Sequence, residues 1–97
     1  MSARAGRKPV VLRMRLYVAG QAPNSVRAIA NLRAACDEHF AAAHQIEIVD
    51  LLTDASRALA DGIVVTPTLL KLAPRPAQRL IGDLSDTARL LVALGGR

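Results

Sequence analysis

Cys36, His39 and His44 are the residues with nucleophilic or metal-binding chemistry, and Asp83, Ser85 and Asp86 form a dense polar cluster. Their spacing argues against catalysis. Neither histidine stands at a metal-motif distance from the other or from Cys36. Both read as solvated side chains near a helix end. Cys36 falls on the apolar stripe of a helix and reads as a small buried hydrophobe. Asp83 and Asp86 flank Ser85 as a helix-capping cluster would. Gly-rich phosphate loops, nucleophile elbows and paired carboxylates are absent from the sequence. The strand-to-helix junction Gly20-Gln21-Ala22-Pro23-Asn24-Ser25 holds no cysteine, so it has no dithiol Cys-x-x-Cys pair. The residues predict no enzyme, no cofactor and no metal.

The composition sets the frame for those residues. Ninety-seven residues suit one domain with a modest core, here 10–97 behind a flexible basic tail over 1–9. A chain that is 52% hydrophobic but 2% aromatic must build its core from Ala, Leu, Val and Ile. No apolar run approaches the ~18 residues of a membrane span. No signal-peptide pattern follows the basic start, and one cysteine cannot pair internally, so a cytoplasmic location is expected. The net charge is +5, with Arg4, Arg7, Lys8, Arg13 and Arg15 near the start. A nucleic-acid arm would show aromatic residues to stack on bases. None interleave there, so a solvated tail is the simpler reading. An acidic protein surface fits the remaining charge.

Hydrophobic periodicity gives the elements. Val10 to Ala19 alternates as a strand and becomes apolar on both faces, as a central strand does. Pro23 to about Phe40 is a helix, with Val26, Ile29, Leu32 and Cys36 predicted inward and Ala28 and Ala35 beside them. Asn24 and Ser25 are alternative caps for a start one residue later. Gln45 to Leu51 is a second strand, parallel to the first across a right-handed crossover. Thr53 or Asp54 caps a short helix to Ala60, and Gly62 stops it. A third strand starts at Pro67, where Thr66–Pro67 is a candidate cis bond. The Ala73-Pro74-Arg75-Pro76 turn sets Gln78 to Ile81 antiparallel to it. Ser85 caps a last helix over Asp86 to Leu94, with Leu84, Ala88, Leu91 and Val92 inward. The order βαβαββα is that of a thioredoxin-like α/β domain, with a four-stranded mixed sheet and helices on both faces.

Five strings in this order resemble the KaiB family of clock proteins. They are Leu16-Tyr17-Val18-Ala19-Gly20, Pro23-Asn24-Ser25-Val26-Arg27-Ala28, Val49-Asp50, Thr66-Pro67-Thr68-Leu69 and Ile81-Gly82-Asp83-Leu84-Ser85-Asp86. The resemblance spans about residues 10–94, and the basic tail departs from it. It implies a non-enzymatic timing regulator that binds the ring of a KaiC-type ATPase. It also implies dealings with a KaiA-like protein and with a sensor histidine kinase that carries a related thioredoxin-like domain. Partner-binding residues implied by it are Arg27, Lys71, Leu72, Ala73, Pro74 and Arg79. A further basic position of the family is Gly62 here. The family also has a resting βαββααβ fold, usually tetrameric, so a homo-oligomer (dimer or tetramer) belongs to that form. Pro67, Gly82, Asp83 and Ala93 are the implied structural or fold-switching positions. Ala93 stands where family members often have Gly. Ala is the better helix former by ~1 kcal/mol, which favours the thioredoxin-like form. The alternative is a thioredoxin-like interaction module, related to the sensor domain of a clock-output histidine kinase. Neither reading calls for nucleic acid or a membrane.

Overall fold

The computed structural model describes residues 11–41 and 43–95. The basic tail expected over 1–9 lies outside these, as does Val10. The elements are β1 (Leu12–Val18), α1 (Pro23–His39), β2 (His44–Asp50), α2 (Ala55–Ala60), β3 (Thr68–Ala73), β4 (Gln78–Ile81) and α3 (Thr87–Ala93). The sheet order is β2-β1-β3-β4. β1 pairs parallel with β2 and antiparallel with β3, and β3 pairs antiparallel with β4. This is the expected βαβαββα arrangement.

Alternation in β1 builds two layers of core. Leu12, Met14, Leu16 and Val18 pack with Ala28, Leu32, Ala35 and Cys36 of α1 and with Leu90 and Leu94 at α3. Tyr17, on the other face, packs with Val49, Ala58 and Ile63 beneath α2. The β1–β3 register slips between Arg13 and Met14, which face Ala73 and Lys71, so Leu72 is the extra residue of a bulge.

The inward stripe of α1 differs from the expected one. Ser25, Ala28, Leu32, Ala35 and Cys36 are buried, Ile29 packs partly against the core, and Val26 is 46% exposed. The cause is a hydrogen bond. The Ala19 N–H donates to Ser25 Oγ at 3.0 Å, which turns that side of the first turn toward the sheet. Pro23 opens the helix, and Ala22 precedes it with no side-chain cap bond.

The last helix is also re-phased. Its cap is Asp86, whose carboxylate accepts the Arg89 N–H at 3.1 Å, whereas Ser85 was expected there. Ahead of it, Gly82 (φ +117°) and Leu84 (φ +63°) both lie in left-handed backbone. The Ser85 N–H donates to Asp83 Oδ1 at 3.0 Å within this turn. The turn buries Leu84 and sets Leu90 and Leu94 inward. Ala88 is exposed, Leu91 is half-buried, and Val92 is 63% exposed.

Replacing Ser25 with Ala leaves the Ala19 N–H without its partner in a partly buried place. The expected loss is about 1–2 kcal/mol, a fall in Tm of roughly 5–10 °C for a domain of this size. Thermal unfolding followed by circular dichroism measures it.

Candidate functional site

The densest polar arrangement lies where α2 packs on β1 and β2. Arg15 donates from Nε to Glu47 Oε1 at 2.8 Å and from Nη1 to Asp61 Oδ2 at 2.8 Å. The fully buried Tyr17 donates to Asp61 Oδ2 at 2.5 Å, with the Arg57 carbonyl oxygen at 3.0 Å. Arg57 reaches Glu47 Oε2 at 2.6 Å. Five side chains from β1, β2 and α2 with its cap thus close on one another. Arg57 and then Arg15 hold the Glu47 carboxyl down to about 2. The Tyr17 hydroxyl, then Arg15, holds Asp61 below the usual carboxylate range. Burial pushes the Tyr17 phenol up. Sequence reading missed this cluster. The available signal was Arg15 and Tyr17, two apart on one strand face. Their partners come from β2 and from α2 with its cap, and only the fold brings these near.

The turn at Gly20–Ser25 holds no reactive group. Its backbone is bonded inward: the Gly20 N–H donates to Asp50 Oδ1 at 3.0 Å and the Ala22 N–H to the Ala19 carbonyl at 3.1 Å. Cys36 is fully buried, with its Sγ 3.9 Å from Met14 Sδ. Burial pushes its thiol up to about 11, so it carries little thiolate at neutral pH. Among the described residues no group of His, Cys, Asp and Glu is placed to hold a metal ion. No helix there is long and apolar enough to cross a membrane.

The implied partner-binding residues fall in three places. Arg27 is exposed near the start of α1. Its Nε lies 3.4 Å from Asp83 Oδ2, and it also bonds Asn24. Asn31 Nδ2 donates to the Asp83 carbonyl at 2.9 Å, so α1 holds the Gly82–Asp86 turn. Lys71 is 4% exposed. Its Nζ lies 3.7 Å from where a Cβ would stand on Gly95, at the negative end of the α3 dipole. Arg79 projects from the opposite sheet face. It donates from Nη1 to the Gly62 carbonyl at 3.2 Å and from Nη2 to the Asp61 carbonyl at 3.0 Å, just past α2. Leu72 and Pro74 are exposed and Ala73 is half-exposed, in the β3–β4 hairpin. The fold therefore brings Arg79 and Leu72 onto one exposed face and sends Lys71 inside.

The implied fold-switching residues are partly joined. Thr66–Pro67 is cis, and the Gly82 N–H donates to the Pro67 carbonyl at 3.0 Å. Asp83 is held below the usual carboxylate range, first by Ser85. Ala93 ends α3 and packs partly against the core.

The KaiB domain model matches residues 15–95. The chain belongs to the KaiB family. It is 44% identical over 81 residues to the circadian clock oscillator protein KaiB of Prochlorococcus marinus strain MIT 9313, covering 84% of this chain and 68% of that one. Against KaiB of strain MIT 9312 it is 42% identical over 90 residues, covering 93% and 84%. Among solved structures it is similar to the N-terminal domain of Synechococcus elongatus SasA. That match has a TM-score of 0.67 and 25% identity, and covers 94% of this chain and 90% of the domain. Chloroplastic thioredoxin z superposes with a TM-score of 0.71 at 21% identity, over 96% and 81%. The fold is thioredoxin-like, as the element order implied.

In this KaiB-family chain the Glu47 pair gives a signed pH dependence. Its folded pKa lies below the ordinary 4.5. The pair's contribution is therefore complete above about pH 4.5 and is lost as pH falls toward 2. Denaturant titrations at pH 7, 4.5 and 3 are expected to show stability falling in that window, and the Glu47→Gln variant to show a shallower fall.

Proposed function

We propose that this chain is a non-enzymatic timing regulator, which binds the ring of a KaiC-type ATPase and so modulates its phosphorylation cycle and output signalling. One observation carries the reading. The KaiB domain match over residues 15–95 takes in every implied contact residue, from Arg27 to Arg79. The docking face is the β3–β4 hairpin, with Leu72 and Pro74 as its apolar part and Arg79 as its cation. Arg27 adds a second charged point on α1. Two nitrogens of the Arg79 guanidinium are bonded to carbonyls. Its remaining donors are available to a carboxylate of the ATPase. Lys71 acts on the hairpin from within, by the end of α3.

The likeness to the SasA domain supports a second part of the reading. A sensor histidine kinase with a domain of this shape would compete for the same place on the ring. A KaiA-like protein is a further partner where the organism has one. The alternative, a detached thioredoxin-like module, is less favoured. Identity to the KaiB relatives reaches 44%, against 25% for the SasA domain. The buried, weakly acidic Cys36 and the cysteine-free turn argue for recognition rather than dithiol chemistry.

The test is a titration of the whole chain against the KaiC-type ATPase of the same organism, read by fluorescence anisotropy. A saturable complex is expected. Arg79→Ala is expected to weaken it by about tenfold, the cost of one well-placed arginine anchor, with circular dichroism confirming that the variant is folded. Absence of a complex with the unaltered chain overturns the reading.

A further inference from the structure

The sheet has two edges, β2 and β4, and they differ. The exposed large hydrophobics within strands are Leu72 and Ile81, both in the β3–β4 hairpin, and none lies in β2. Ile81 is 56% exposed.

Backbone directions along β4 follow from one bond. The Gly82 N–H points at β3, donating to the Pro67 carbonyl. In an antiparallel ladder these directions alternate. Leu80 and Gln78 therefore also turn toward β3, opposite Leu69 and Lys71. Arg79 and Ile81 turn their N–H and C=O groups outward. An incoming strand can pair with these two residues without displacing any bond to β3.

The side chains flanking the edge carry the same pattern on both faces. On the α2 face stand Ile81 and Arg79. On the α3 face a groove of about 550 Å³ runs between β4 and α3. Leu80 and Ala93 line it, with Val92 63% exposed and Arg89 exposed at its side. Its one carboxylate, Asp86, is already taken as the cap of α3. Each face thus offers an exposed large apolar side chain, Ile81 or Val92, beside an arginine, Arg79 or Arg89.

The geometry points to the β4 edge as a docking site for an extended, acidic and apolar segment of a partner protein, which adds to the sheet as a fifth strand. Main-chain bonds to Arg79 and Ile81 supply the pairing, and side chains of alternating direction meet the two faces. Acidic residues answer Arg79 and Arg89, and apolar ones cover Ile81 and Val92. A second copy of this chain fits less well, because its own edge would bring arginines to arginines. The site shares Arg79 with the ATPase contact proposed above, but its peptide test stands whether or not that reading holds.

The probe is a capped octapeptide of glutamate and valine in equal numbers, with a lysine-for-glutamate counterpart as control. Both are titrated into the ¹⁵N-labelled whole chain. The acidic peptide is expected to shift the Arg79 and Ile81 amides, to slow their hydrogen exchange, and to bind about tenfold tighter than the lysine peptide. Ile81→Pro removes an outward N–H that β3 does not use, and should abolish that protection. If that variant fails to fold, Arg89→Glu decides, with an expected weakening of about fivefold. Equal binding of the two peptides, or shifts confined to β2, overturns the proposal. Concentration-dependent shifts of the same amides without peptide overturn it in favour of self-pairing.

Discussion

A central strand has to be covered on both faces, and β1 imposes that requirement on the rest of the chain. Leu16 and Tyr17 are neighbours in sequence, and both are fully buried, on opposite sides of the sheet. The Leu16 side asks only for apolar volume, and α1 and α3 supply it with Ala, Leu and Cys. Each fully buried Leu among them contributes about 1.5–3 kcal/mol, and each Ala less. The Tyr17 side asks for more. A phenol hydroxyl buried without a partner costs about 1–3 kcal/mol, and Arg15 brings a charge to the same face. Asp61 answers both, and Glu47 joins Arg15 to Arg57. The C-terminal end of α2 is therefore held at one place over β1. Arg79 holds it from the other side, through the carbonyls of Asp61 and Gly62.

Strand alternation and turn residues are local signals, which is why the element order and the central place of β1 were legible in the sequence. Pro23, Gly62 and Pro67 each sit where their backbone limits put them. Helix phase was less legible. On a helix, Ser25 and Val26 are only 100° apart, so the apolar stripe alone does not choose between them. A backbone donor at Ala19 chose Ser25, and hydrophobicity could not reveal that donor. For α3 the deciding residue is Leu84. Its left-handed backbone is uncommon for a branched side chain, and it sets which of Leu90, Leu91 and Val92 turn inward.

The candidate contact residues show the same division between what spacing tells and what register tells. Resemblance to the family named Lys71 and Arg79 together. In the hairpin, Lys71 lies opposite Gln78 and Arg79 lies opposite Leu70. The pleat then sends the two cations to different faces. One is enclosed by the core under α3, and the other stays exposed beside α2. A list of basic positions carries no such information. One bond does, since the Gly82 N–H on the Pro67 carbonyl sets the directions along β4.

The junction after β1 is built unlike that of a dithiol enzyme, in keeping with the recognition role proposed above. In a dithiol enzyme this junction holds reactive cysteines ahead of a helix. Here the donors of Ala19, Gly20 and Ala22 go to Ser25, Asp50 and the Ala19 carbonyl. The turn is closed on itself, and the chain's only thiol lies inside the core with its proton held. At the β4 edge the ladder leaves the outward backbone groups of Arg79 and Ile81 unbonded, as it leaves others at the β2 edge. Arginines and apolar side chains stand beside those of β4 without a covering element. A surface of that kind offers hydrogen bonds, charge and apolar area at once, which are the terms from which protein recognition is built.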